Sequence, residues 1–147
     1  MNYHSYTQLQ GERNGDDVQT PYDFLLYALP DCVAKGATEY FMIFSSHGGG
    51  FQGFGGDENI PSAAVEASRR GNPDFDGRKL VQPNQNIVNA IYYALQDVEG
   101  APEVLDVVGF DACLMSAVGA IDEYRDIAKY VLASEAVEPG HGKLGCG

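Results

Sequence analysis

Val104-Leu105-Asp106-Val107-Val108-Gly109-Phe110-Asp111-Ala112-Cys113-Leu114-Met115 is the stretch on which the fold turns. The segment up to Val108 is short, apolar and rich in β-branched residues, and it stops at Gly109, as expected for a buried strand of a parallel sheet. An earlier stretch repeats the pattern: Tyr40-Phe41-Met42-Ile43-Phe44 runs into Ser45-Ser46-His47-Gly48-Gly49-Gly50. In parallel sheets the chemistry collects just past the carboxyl ends of the strands, so His47 and Cys113 are expected to face one crevice from neighbouring strands. A thiol and an imidazole so placed form a nucleophile and its proton partner.

Outward from these two stretches, the pattern is one of alternating elements. Thr20-Pro21-Tyr22-Asp23 reads as a helix start, with Thr20 as cap, Pro21 at the first helical position and Asp23 at a capping-box-like spacing. Tyr22, Phe24, Leu25, Ala28 and Leu29 line its apolar side until Pro30 interrupts, with a short continuation through Cys32 and Val33. Ile87, Val88, Ile91, Ala94, Leu95 and Val98 recur at helical spacing, with Asn84 or Asn86 as cap and Gly100 past the end. Leu114, Val118, Ile121, Tyr124 and Ala128 predict a further helix, and Tyr130-Val131-Leu132-Ala133 a last strand. Strand, helix, strand, helix, strand from residue 40 to 133 is the order of a right-handed parallel α/β sheet. Residues 3–10 alternate loosely and predict a strand leading into the polar turn 11–17. Residues 57–82 are polar and turn-rich and read as an exposed insertion.

The chain has 147 residues, the size of one domain, 1–147, although small for a complete α/β hydrolase. Hydrophobic residues at 44% and charged residues at 20% are ordinary globular values and argue against a disordered chain. Twenty-one acidic against nine basic residues leave a formal charge of −12, spread along the chain, which disfavours nucleic acid and anionic membranes and favours basic peptides or divalent cations. Cys32, Cys113 and Cys146 lie far apart without a CxxC pair, so neither a disulfide framework nor a zinc site can be read from them. Met1 to Tyr6 lacks the basic-then-apolar order of a secretory leader, and no stretch approaches transmembrane length; the compartment stays open.

For the chemistry, Cys113 at a strand-to-helix junction would have its thiol pKa lowered by the helix N-terminus. The bland alternative is a buried, inert cysteine. His47 alone would be an ordinary structural histidine, but the glycines behind it expose backbone N–H groups and admit a substrate carbonyl. Six of the nine residues 48–56 are glycine, so backbone there approaches something closely, with a mobile turn as the alternative. The Gly48 and Cys113 N–H groups together form a candidate oxyanion hole. Asp111, two residues before the nucleophile, is placed either to meet a cationic side chain or to cap the helix that follows.

Taken together, Ser46-His47-Gly48-Gly49-Gly50-Phe51 with Asp57-Glu58, then Gly109 to Met115, then Ala133-Ser134-Glu135 with Glu138-Pro139-Gly140, resemble the clostripain-type cysteine peptidases. These are relatives of caspases, legumains and gingipains, and the resemblance runs from about Asn14 to Gly142. It implies a caspase-like three-layer α/β/α sandwich with a mainly parallel sheet, a His47–Cys113 dyad, and cleavage of peptides after Arg or Lys. It puts Asp111 at the acidic position of the basic-residue pocket, and Ser134 and Glu135 on the substrate side of the site. No cofactor is required for the chemistry; some members need calcium, for which Asp57 and Glu58 are the candidate ligands, and mature by cleavage between the His and Cys motifs, here 57–82. Two departures stand out: after Pro-Gly-x-Gly the family usually continues with an aromatic and further pocket-forming residues, whereas this chain has His141-Gly142-Lys143-Leu144-Gly145-Cys146-Gly147 after Pro139-Gly140, and the family's first strand and helix have no room before Asn14. An incomplete sheet and weak activity of the chain alone are therefore expected.

Two rival readings remain. A peptidase-like domain could bind basic peptides without cutting them. His-Gly-Gly-Gly is also the oxyanion motif of lipase-like esterases, but their Gly-x-Ser-x-Gly elbow would place serine where this chain has Asp111.

Overall fold

Three parallel strands form the centre of the computed structural model, which describes residues 17–55 and 83–137. β1 is Phe41–Ser45, β2 is Leu105–Asp111 and β3 is Ala128–Leu132, in the order β1-β2-β3. The expected strands are present, each displaced by a residue or two, and β2 runs on through Gly109 and Phe110 to Asp111. Gly109 belongs in that strand because Ile43 lies across it in the paired register, where a Cβ would stand 2.4 Å from Ile43 Cδ1.

Alternation along the strands decides which face is covered. Met42, Val108 and Phe110 point into the core, whereas Phe41, Ile43, Tyr130 and Leu132 are each more than half exposed. The core face receives two helices, α1 (Gln19–Ala34) and α2 (Asn84–Asp97), which also pack on each other. Pro21, Leu25 and Leu29 form the buried stripe of α1, and Ile87, Val88, Ile91, Ala94 and Leu95 that of α2. Among the described residues the fold is thus α/β with a parallel sheet, and the Phe41–Ile43–Tyr130–Leu132 face carries no helix layer. No helix of the described residues is long and apolar enough to cross a membrane.

Three local expectations are corrected. First, α1 starts at Gln19, so Thr20 lies inside the first turn; the Asp17 carboxylate accepts the Gln19 N–H at 3.0 Å, and Val18 is the cap residue. The helix also continues through Pro30, whose ring lies on the exposed side, where water can satisfy the carbonyl left without a donor. Second, Pro83 caps α2, and the Asn84 side chain is buried and bonded elsewhere. Gly100, at φ +78°, does follow its end as expected.

Third, no long helix follows Cys113. Residues 112–117 turn, α3 is the single turn Val118–Ile121, and a 3₁₀ turn, Asp122–Tyr124, leads to β3. The reason lies in the backbone: Leu114 has φ +62°, outside the helical region, and the Leu114 and Ser116 N–H groups donate to Ala136 O (3.1 Å) and Ser134 O (3.0 Å), which ties the turn to a later segment. The apolar residues Ala120, Tyr124, Ile127 and Ala128 are nonetheless buried. The strand expected at residues 3–10 and the insertion 57–82 lie outside the described residues.

Asp106 ties the amino ends of the three strands together. Its carboxylate accepts the Tyr40 N–H and the Lys129 ammonium, each at 2.8 Å. The Lys129 hydrogen bond, followed by that from Tyr40, holds the Asp106 carboxyl below its ordinary value. A depressed carboxyl stabilises the fold above its unfolded-state pKa and loses that contribution as pH falls through the folded value. Asp106→Asn should therefore melt below wild type near neutral pH, with the gap closing as the pH drops below the ordinary carboxylate range. Thermal melts across the acid range check this, and a gap that persists at the lowest pH contradicts it.

Candidate active site

β1 and β2 end level with each other, with Ser45 paired to Asp111 and the Ser45 hydroxyl donating to Asp111 Oδ2 at 3.2 Å. His47 and Cys113 each stand two residues past that pair, so the parallel register delivers the imidazole and the sulfur to turns at one edge of the sheet. The glycine-rich segment is a folded loop. Gly48 bridges Phe54, Gly49 N–H donates to Gly53 O at 2.9 Å, and Gly55 N–H donates to His47 O at 2.8 Å. Residues Gly50–Gln52 make a 3₁₀ turn inside it.

This loop lies directly on the Cys113 turn. A Cβ on Gly48 would stand 2.1 Å from Cys113 O and 2.9 Å from Cys113 N, distances that only a glycine permits. At Gly50 a Cβ would stand 3.0 Å from Leu114 O, a tight contact, and the φ of +60° itself disfavours a side chain. Leu114 itself has φ +62°, an uncommon conformation for a residue with a side chain, held by the bond from its N–H to Ala136 O. The loop's own bonds, Gly49 to Gly53 and Gly55 to His47, leave the Gly48 N–H uninvolved.

His47 is half-buried at the end of this arrangement. Cys113 is buried and disulfide-bonded, so it carries a thiol only after reduction. With no helix beginning at Cys113, the expected lowering of its pKa by a helix N-terminus does not apply, nor does the helix-capping role for Asp111. Asp111 is the last residue of β2 and is exposed at the mouth of the turns. Ser134 is half-buried, and its hydroxyl donates to Ala136 O (3.3 Å) and accepts the Ala136 N–H (3.1 Å), closing a small turn opposite the Cys113 segment. Glu135 is exposed.

Asp57 and Glu58 lie outside the described residues, and among the described residues no group of three or more His, Cys, Asp or Glu side chains could hold a metal ion. Cys32 is a free, half-buried cysteine on α1.

The sequence reading missed Ser45, whose hydroxyl orients Asp111, and the role of Asn84, which bonds to Gly50 O. The in-register position of Ser45 was a usable signal, because it is as far before His47 as Asp111 is before Cys113.

The first two strands of the parallel sheet thus end in interlocked turns that carry a histidine and a cysteine. The Clostripain family model matches residues 8–143, and the chain belongs to that family of cysteine peptidases. No curated protein and no solved structure matches the chain.

The close approach of the loop to Cys113 makes neighbouring glycines unequal. Gly48→Ala forces a methyl group into the Cys113 backbone and should cost about 1–3 kcal/mol or more, as overpacking does. Gly49→Ala should be nearly neutral, because the nearest atoms to its Cβ lie at 3.4 Å. Urea unfolding of the two variants distinguishes them, and equal losses would show that the loop does not rest on Cys113.

Proposed function

We propose that this chain is the Cys–His core of an endopeptidase that cleaves after Arg or Lys. The reading is carried by one observation above others: the glycine loop following His47 is seated on the backbone of Cys113 with no room for a side chain between them. In the proposed reaction the reduced Cys113 sulfur attacks the scissile carbonyl carbon as a thiolate, forming a C–S bond. The Gly48 and Cys113 N–H groups receive the oxyanion. His47 gives its proton to the leaving amine as the C–N bond breaks, then takes one from water as the water attacks the thioester and frees the acid and the thiol.

Asp111 supplies the basis for specificity. Its carboxylate is exposed two residues before Cys113, fixed by Ser45, and suited to the cationic end of an Arg or Lys side chain. The net charge of −12 favours basic substrates further. Ser134 and Glu135, on the segment paired with the Cys113 turn, form the opposite wall of the substrate cleft in this reading.

A second reading, a domain that binds basic peptides without cleaving them, is favoured by the buried, disulfide-bonded state of Cys113. Turnover separates the two. After reduction, the chain should cleave an Arg-containing fluorogenic peptide, and Cys113→Ala and His47→Ala should abolish cleavage while leaving peptide binding in place. Asp111→Asn should lower kcat/KM for Arg peptides roughly 10- to 100-fold, the value of a charge-assisted hydrogen bond, and spare neutral ones. Binding without turnover in the reduced wild type would establish the second reading, and equal losses on both substrates would remove Asp111 from the pocket.

On sequence grounds the segment 57–82 is further proposed as a processing loop, since Arg69, Arg70, Arg78 and Lys79 match the proposed specificity, and the acidic pair Asp57-Glu58 as a calcium site, since carboxylates in an acidic chain favour divalent cations. A nick after one of these residues should appear in the wild type and be absent from Cys113→Ala. A nick that forms equally in both excludes self-cleavage.

A further inference from the structure

Asn84 opens α2, yet its side chain serves neither that helix end nor the solvent. Its Nδ2 donates to Gly50 O at 3.1 Å, and its Oδ1 accepts the Tyr124 hydroxyl at 3.2 Å. Both side chains are fully buried, where an unpaired polar group is costly, so the two bonds specify one geometry. Burial pushes the Tyr124 phenol far above its ordinary value, which keeps it a hydrogen-bond donor at any working pH.

The Tyr124 ring meets Phe110 edge-on at 5.1 Å, and Phe110 in turn stacks with Phe44 and touches Phe54 at the far end of the glycine loop. The loop is thus held at two points, by the aromatic cluster at Phe54 and by Asn84 at Gly50. Gly50 is also where the loop presses on Leu114 O, one residue past Cys113.

We propose that Asn84, braced by Tyr124, is a positioning residue for the dyad: it grips the glycine loop at Gly50 and so sets His47 and the Gly48 amide against Cys113. The proposal rests on the reading of His47 and Cys113 as a dyad. Neither Asn84 nor Tyr124 touches substrate; their effect passes through the loop backbone. Asn84→Leu keeps the approximate size while removing the donor to Gly50 O and the acceptor for Tyr124, and it adds no titrating group. Tyr124→Phe keeps the ring and the grip on Gly50 while removing the brace.

The test is the pH profile of Cys113 alkylation by iodoacetamide in the reduced full chain, mapped by mass spectrometry. Wild type should show an acid limb, due to thiolate paired with imidazolium, that His47→Ala removes. Asn84→Leu should lower that limb at least tenfold, and Tyr124→Phe several-fold, with the alkaline rate unchanged. Ile91→Val, which trims the core on the same helix, gives the matched control and should leave the limb intact at a comparable loss in Tm.

If His47→Ala leaves the profile of wild type unchanged, the dyad reading fails and the proposal falls with it. If His47→Ala removes the limb but Asn84→Leu and Tyr124→Phe behave like Ile91→Val, the dyad stands and the positioning role is wrong. Should Asn84→Leu fail to fold, Tyr124→Phe decides the matter by the same comparison.

Discussion

Everything at this sheet edge depends on one steric fact, the absence of a side chain at Gly48. With its Cβ position only 2.1 Å from the carbonyl oxygen of Cys113, the loop after His47 can lie on the Cys113 turn only as bare backbone. A side chain there would separate the two turns by about the width of a methyl group, roughly the misplacement that costs an active site orders of magnitude in rate. The left-handed backbone at Gly50 and Leu114 belongs to the same contact, with the two turns bent to fit each other. Strain of this kind persists only where the surroundings over-determine it. Here the bonds from Leu114 N–H to Ala136 O and from Asn84 to Gly50 O do so.

The rest of the fold serves to bring the two turns level. Parallel pairing of Phe41 with Val107 and of Ser45 with Asp111 leaves β1 and β2 ending side by side, and a slip of one residue would exchange the core and outer faces as well as part the turns. The register is fixed from below by Asp106, which links Tyr40 and Lys129, and from the core face by Met42, Val108 and Phe110 under α1 and α2. Core burial therefore supplies the stability, and register converts it into positioning. The opposite face, with Phe41, Ile43, Tyr130 and Leu132 exposed, takes no part in aligning the turns.

How much of this was legible in the sequence follows from the range of each interaction. The strands and the buried stripes of α1 and α2 could be read because they rest on local apolar spacing, and the glycine run at 48–50 announced a close backbone approach. The segment after Cys113 could not. Its apolar residues fall at helical intervals, but its donors are taken by Ser134 and Ala136, a pairing across some twenty residues that no local pattern reveals. Asn84 stood where a cap belongs, and only its partners, 34 and 40 residues distant, show what it does. The disulfide-bonded state of Cys113 had no signature either, since the spacing of three scattered cysteines implies no pairing.

The central claim, that His47 and Cys113 act together on substrates with a basic side chain, is tested most directly by an affinity label. The reduced chain would be treated with an Arg-bearing peptidyl chloromethyl ketone and with its neutral counterpart, and the adducts mapped. The account predicts alkylation at Cys113 ahead of every other cysteine, faster for the Arg reagent, and lost when His47 is replaced by Ala. Alkylation of Cys32 or Cys146 at the same rate as Cys113, or of Cys113 without regard to His47 or to the charge of the reagent, would contradict it.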